Sequence, residues 1–239
     1  MTPEPAVRTA LITGASRGIG LEVARALASD GLRVAMLARG ETALREAAAS
    51  VGELARPVVC DVRDAEAVER ALRDVRAAFG EVPDVIVNNA GLFHLATVEE
   101  TTIADFRGAL DVNLVAPFLI VRAVLPEMRR RGSGHIVTIG SIADRVAFPA
   151  NGAYAASKFG GRAFHQVLRA ELRGSGVRAS LVSPGPVDTA IWDEIDPDSR
   201  PGFTPRREML SAAAVAGAVR WIVRQPPDVN VDELRLSHT

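Results

Sequence analysis

The chain has 239 residues, 48% apolar and 24% charged, with a formal net charge of −1. That size and apolar content suit one α/β domain with a large core, and charges of both signs scattered along the chain give no footprint for nucleic acid. A single cysteine, Cys60, excludes an internal disulfide and any zinc site built on several cysteines.

Met1 to Ala6 carries neither a basic segment nor an apolar one, and no unbroken apolar stretch looks long enough to span a bilayer. The expectation is a soluble cytoplasmic protein without membrane contact. A short apolar run, Thr9 to Thr13, leads into Gly14-Ala-Ser16-Arg17-Gly18-Ile19-Gly20 and a helical pattern that stops at Gly31. A second run, Leu32 to Leu37, precedes Ala38-Arg39-Gly40 and an alanine-rich helix from Glu41 to Val51. The third, Pro57 to Cys60, ends at Asp61; a helix from about Asp64 to Phe79 and a strand from Asp84 to Asn88 follow. The second half repeats the rhythm. It predicts a long helix from about Thr102 to Arg131, a strand His135 to Ile139, a helix from about Asn151 to Gly174 and a strand Val177 to Val182. Regularity fails from Pro184 to about Arg206, after which a helix Ser211 to Arg224 and a strand near Val229 to Leu236 close the chain. Strands alternating with helices of this length predict a Rossmann-type, doubly wound parallel sheet of about seven strands in three α/β/α layers. Residues 1–239 read as one dinucleotide-binding domain with a substrate loop around 186–210.

The glycines of the first loop follow a strand and open a helix, where the backbone can approach a pyrophosphate on a helix N-terminus. Alone, such a loop fits a tight turn equally well; the strand and helix around it favour a dinucleotide site. A binder of the unphosphorylated dinucleotide needs an acid near the end of the second strand. Ala38 and Arg39 stand there, with Arg17 inside the loop, and two guanidiniums without a carboxylate favour the 2′-phosphate of NADP.

Tyr154 and Lys158 are each the only residue of their type in the sequence, and their i,i+4 spacing puts both on one helix face. A phenol titrates near 10, so acid–base work near neutrality calls for a neighbouring cation. Elsewhere the chain uses arginine, which cannot replace a compact ammonium under a ligand. Ser141 lies just past a strand's C-terminal end, thirteen residues before the tyrosine, and can donate to a substrate oxygen there. Pro117, four residues after Asn113, removes the N–H that the Asn113 carbonyl would bond in a helix, freeing it to hold a water. A plain kink at Pro117 is the simpler alternative. His94, His135, His165 and His238 show no metal-ligand spacing, and no metal is expected. Phe93, Phe148 and Trp192 each follow a motif that should border the cleft, which makes them candidates for an apolar substrate wall.

The ordered set Thr13-Gly14-Ala-Ser-Arg-Gly18-Ile-Gly20, Asp61-Val62, Asn88-Asn89-Ala90-Gly91, Asn113, Ser141, Tyr154-x-x-x-Lys158 and Pro184-Gly185 resembles the compact, single-domain branch of the short-chain dehydrogenase/reductase family. The resemblance spans nearly the whole chain. It implies cofactor contacts from Gly14, Ser16, Arg17, Gly18, Ile19, Gly20 and Arg39, with Asp61 and Val62 on the adenine. Asn89, Ala90 and Gly91 would line the adenosine side, and Pro184, Gly185, Val187 and Thr189 would border the nicotinamide beside Tyr154 and Lys158. Asn113, Ser141, Tyr154 and Lys158 would be the catalytic four of an NADPH-dependent carbonyl reductase or alcohol dehydrogenase. The resemblance also implies a homotetramer. Two alternatives stay open: a 3-oxoacyl thioester reductase, and an NADP-binding sensor or scaffold without chemistry. The Asp-Gly-Gly ending of many fatty-acid-pathway members is missing here, which leans toward small hydroxy acids or assorted ketones as substrates.

Overall fold

The structure, a computed structural model, describes residues 8–239; the reading of the first six residues lies outside them. Seven strands form one fully parallel sheet: β1 (Thr9–Thr13), β2 (Arg33–Ala38), β3 (Ala55–Val59), β4 (Val85–Asn88), β5 (Gly134–Ile139), β6 (Val177–Pro184) and, last in the chain, β9 (Glu233–Leu236). Their order is β3-β2-β1-β4-β5-β6-β9. All five residues of β1 and all four of β4 are buried, as strands covered on both faces require.

Each face carries its own core. On one side α1 (Gly18–Ser29), α2 (Glu41–Val51) and α7 (Ala212–Val223) pack Val23, Leu27, Leu44 and Val219 against Ile12 and Val87. On the other, α3 (Ala65–Phe79), α5 (Ala116–Arg131) and α6 (Gly152–Glu171) pack Val75, Ile120, Val124 and Leu168 against Leu11 and Ile86. The doubly wound, three-layer architecture is the expected one. Its chain order reverses between β1 and β4, and that switch point opens a crevice at the strands' C-terminal ends.

Three boundaries differ from the sequence reading, each for a local reason. The strand expected over Pro57 to Cys60 is Ala55–Val59, an edge strand paired only with β2, where a proline is tolerated. The last strand begins at Glu233 rather than Val229. Ahead of it the Asn230 side chain replaces a backbone partner, accepting from Ala179 N at 3.0 Å and donating to Ala179 O at 3.0 Å.

The helix expected from Thr102 to Arg131 is α4 (Ile103–Leu110) and α5 joined by a π turn, Asp111–Val115, in which Ala116 N–H donates to the Asp111 carbonyl. That turn holds one residue more than an α turn would, just ahead of the proline at position 117. By length and composition Ile103–Arg131 is apolar enough to cross a membrane, at a mean hydropathy of 1.7, a stretch the sequence reading passed over. Here Ala116, Ile120, Val124 and Met128 bury one face of it in the core, while Phe118 stays exposed on the other.

The irregular segment after β6 is an excursion closed at its base. Short strands β7 (Val187–Asp188) and β8 (Leu210–Ser211) pair in parallel, so residues 189–209 loop out and return. Arg206 staples the loop, reaching Asp188 at 2.8 Å and Asp193 at 2.7 Å.

Candidate active site

Packing dictates the glycine loop. Gly14 and Gly18 have φ of 65° and 57°, the left-handed region that glycine enters without strain. Thr13 Oγ1 accepts from the N–H groups of Asn89 (3.0 Å) and Ala90 (2.9 Å), while Asn89 Nδ2 donates to the carbonyls of Thr13 (2.9 Å) and Gly14 (3.2 Å). The end of β4 is thus laced to the loop. A Cβ on Gly20 would lie 2.3 Å from the Gly14 carbonyl oxygen and 2.5 Å from Asn89 Nδ2. Gly20 is not among the residues lining the cleft; its missing side chain lets α1 start against the turn. The Asn89 amide likewise serves the loop.

A cleft of about 460 Å³ runs over this loop. Its wall takes Gly14, Ser16, Arg17, Gly18 and Ile19 from the loop, Arg39 after β2, Asp61 and Val62 after β3, and Asn89, Ala90 and Gly91 after β4. Arg17 and Arg39 are exposed and, among the described residues, neither has a salt-bridge partner. Asp61 is clamped by Arg63, at 3.0 Å through Nε and 2.6 Å through Nη2, and that hydrogen bonding holds its carboxyl below the usual range. The sequence reading missed Arg63, although its place two residues after Asp61 on a tight turn was visible. Cys60 also lines the cleft; burial pushes its thiol up to about 11, leaving it inert near neutrality.

The residues fit a dinucleotide. A Cβ at Gly14 would fall 2.9 Å from Ala90 Cα, so bare backbone is required where a pyrophosphate would approach. Arg17 and Arg39 border the same cleft, and Ala38 rather than a carboxylate stands at the end of β2.

Beyond this cleft a second cavity, about 590 Å³, opens at the C-terminal end of β5. It brings together Ser141, Tyr154, Lys158, Pro184, Gly185, Val187 and Thr189 with Phe93, Phe148 and Trp192. Lys158 is 8% exposed; its Nζ donates to the Ile139 carbonyl at 3.0 Å and lies 5.5 Å from the centre of the Tyr154 ring. Burial draws its pKa down to about 8, against the opposing pull of the Asp144 carboxylate. Burial pushes the Tyr154 phenol up, and a hydrogen bond with Ser141 works the other way. Without cofactor the phenol keeps its proton.

Asn113 stands behind these residues and does not line the cavity. Its Oδ1 accepts from Leu92 N at 2.8 Å, and its Nδ2 donates to Leu92 O and to Ser157 Oγ, both at 2.9 Å. Ser157 Oγ in turn donates to the Tyr154 carbonyl at 2.7 Å. The asparagine side chain is therefore a brace between the loop after β4 and the start of α6. Its carbonyl faces α6, 3.8 Å from where a Cβ on Gly161 would sit.

Asp144 ends the short helical turn that Ser141 caps. It is 1% exposed, bound to Arg145 Nε at 2.6 Å and to the Ser183 hydroxyl. Gly140 leaves it room: a Cβ there would lie 2.8 Å from Asp144 Oδ2. Leu95, Asn151 and Phe203 also line the wall. They sit in loops without any periodic signal, though Phe203 falls inside the expected substrate loop.

A parallel sheet with a glycine-loop cleft and a Ser–Tyr–Lys cavity at its switch point defines a dinucleotide-binding α/β oxidoreductase. Residues 8–200 match the family model described as short chain dehydrogenase, and the chain belongs to that family. It is 40% identical over 222 residues to D-threitol dehydrogenase of Mycolicibacterium smegmatis, covering 90% of this chain and 85% of that protein. Among solved structures it is similar to an alcohol dehydrogenase from the archaeon Thermococcus sibiricus complexed with 5-hydroxy-NADP. The TM-score is 0.86 and identity 34%, over 98% of this chain and 97% of that one. The closed form of serine dehydrogenase complexed with NADP+ also gives a TM-score of 0.86, at 29% identity over 95% and 93% of the two chains.

Proposed function

We propose that the protein is an NADP(H)-dependent carbonyl reductase or alcohol dehydrogenase in which Tyr154 is the general acid and base. The observation that carries this reading is the convergence of Ser141, Tyr154 and Lys158 on one cavity that adjoins the glycine-loop cleft. NADPH, when bound, supplies a hydride to the carbonyl carbon. Ser141 then donates a hydrogen bond to the carbonyl oxygen, and Tyr154 delivers the proton that the developing alkoxide takes up. Lys158 stabilises the resulting phenolate, and a water on the Asn113 carbonyl links the lysine to solvent. Asn113 acts through its main chain, since its side chain is committed to Leu92 and Ser157. A sensor without chemistry has no use for a buried Tyr–Lys pair beside a large cavity.

Arg17 and Arg39 hold the 2′-phosphate. Fluorescence titration is expected to give 10- to 100-fold tighter binding of NADPH than of NADH, about 1.4 to 3 kcal/mol. Equal affinities, or a preference for NADH, would refute it; Ala38→Asp combined with Arg39→Ala should reverse the order.

We also propose a homotetramer. Phe118 on α5 and Val167 on α6 are 45% and 57% exposed, and Phe118 packs edge-on against Phe164 at 5.8 Å, so the two helices share an uncovered apolar face. Light scattering at micromolar concentration should report four chains in closed symmetry; a monomer there refutes the assembly.

A further inference from the structure

The wall of the Tyr154 cavity carries information about the substrate that the catalytic residues do not. On the side of Pro184, Gly185, Val187 and Thr189 it borders the nicotinamide in the reading above. The rest is mostly apolar, with Phe93, Leu95, Phe148, Trp192 and Phe203 as its largest side chains and Thr204 and Asn151 among its few polar ones. Three of these rings form a chain with the catalytic tyrosine. Phe93 meets Tyr154 edge-on at 4.8 Å and Trp192 at 5.1 Å, and Trp192 meets Phe203 at 6.4 Å. Trp192 is locked in place by its Nε1–H, which donates to the Val187 carbonyl at 3.0 Å.

Charge is absent from this wall. Among the described residues Lys158 is the only ionisable one lining the cavity besides Tyr154 itself, and its ammonium lies buried against Ile139 O at 3.0 Å. Arg206 is stapled to Asp188 and Asp193, and Arg145 to Asp144 and Glu233. A substrate carboxylate would lose its hydration there without gaining a cation. A polyol fares little better, since each hydroxyl brought into an apolar wall needs a partner. Neutral side-chain partners away from Ser141 and Tyr154 are few: Thr189 and Thr204, Asn89 (whose Nδ2 is spent on Thr13 and Gly14), and Asn151. Asn151 lines the cavity, is 5% exposed, and its buried Oδ1 has no hydrogen-bond partner.

We infer that the substrate is an uncharged ketone with an aromatic or branched apolar group on one side of the carbonyl, and with few further polar groups, all neutral, one of them reaching Asn151. The inference rests on the assignment of this cavity as the reductase site. It sets the chain apart from its relatives named for threitol and serine, whose hydroxyls and carboxylate this wall does not serve.

A matched pair tests it: ethyl benzoylformate and benzoylformate share the phenyl ketone and differ by an ester in place of a carboxylate. Binding is read by Trp192 fluorescence in the NADP+-loaded protein, with Trp221→Phe silencing the other tryptophan, which is 52% exposed on the outer surface. The ester should bind at least tenfold more tightly than the acid, and kcat/KM with NADPH should favour it at least a hundredfold. Benzoylformate, or the four-carbon ketose erythrulose, binding as tightly as the ester overturns the inference. An ester that binds with the expected preference yet is not reduced upholds the substrate class and sinks the reductase reading instead.

Discussion

Tyr154→Phe is expected to abolish carbonyl reduction, with a loss of at least a hundredfold in kcat and NADPH affinity unchanged within a few-fold. The phenol is the only acid in the cavity that keeps its proton near neutrality while facing Ser141, and general acid catalysis contributes a factor of about 10² to 10⁴. The ring stays, so its edge contact with Phe93 at 4.8 Å survives and the protein should melt near the parent temperature. Lys158→Arg should lose at least a hundredfold in turnover as well, for a different reason. At 8% exposure the planar guanidinium has no room where the ammonium now meets Ile139 O, and it would displace the tyrosine. A parent-like rate from the phenylalanine variant on any ketone would mean that Tyr154 is not the acid.

Gly20→Ala should damage cofactor binding from a position that does not line the cleft. The added Cβ lies 2.3 Å from the Gly14 carbonyl and 2.5 Å from Asn89 Nδ2, so α1 must move off the loop. Overpacking of this kind costs about 1–3 kcal/mol. We expect NADPH affinity to fall at least tenfold and Tm to drop by several degrees, at about 2–4 °C per kcal/mol for a chain of this size. Gly217→Ala is the control. Nothing lies within 4 Å of its added Cβ, and alanine is the better helix former, so stability should hold or rise. Unchanged NADPH affinity and Tm in the Gly20 variant would show that the loop can relax and that the close approach is not required.

The fold was legible because its signals are local. Each buried strand of a parallel sheet is a short apolar run, and each crossover helix carries its own period, so Thr9–Thr13 or Ala65–Phe79 announces itself within a dozen residues. Where a side chain substitutes for backbone pairing, as Asn230 does beside β6, the pattern misleads by a few residues. The π turn at Asp111–Val115 was not legible, since a one-turn change of backbone hydrogen-bond register leaves no mark in composition.

The site divides the same way. The sequence by itself determined the glycine loop and its two arginines, the Tyr154–Lys158 pair and the serine ahead of them, because each depends on spacing along one or two neighbouring elements. Tertiary structure alone decided that Gly20 is a packing residue, that the Asn113 side chain is a brace, and that Asp144 and Arg63 stand where they do. It also decided the character of the substrate wall. Phe93, Phe148, Trp192 and Phe203 come from three separate loops, and they form one uncharged surface only because β4, β5 and β6 end side by side and the stapled excursion after β7 folds back over them. Short-range chemistry can be written into a motif; a cavity's shape and polarity arise from chain segments more than a hundred residues apart, and only their packing determines them.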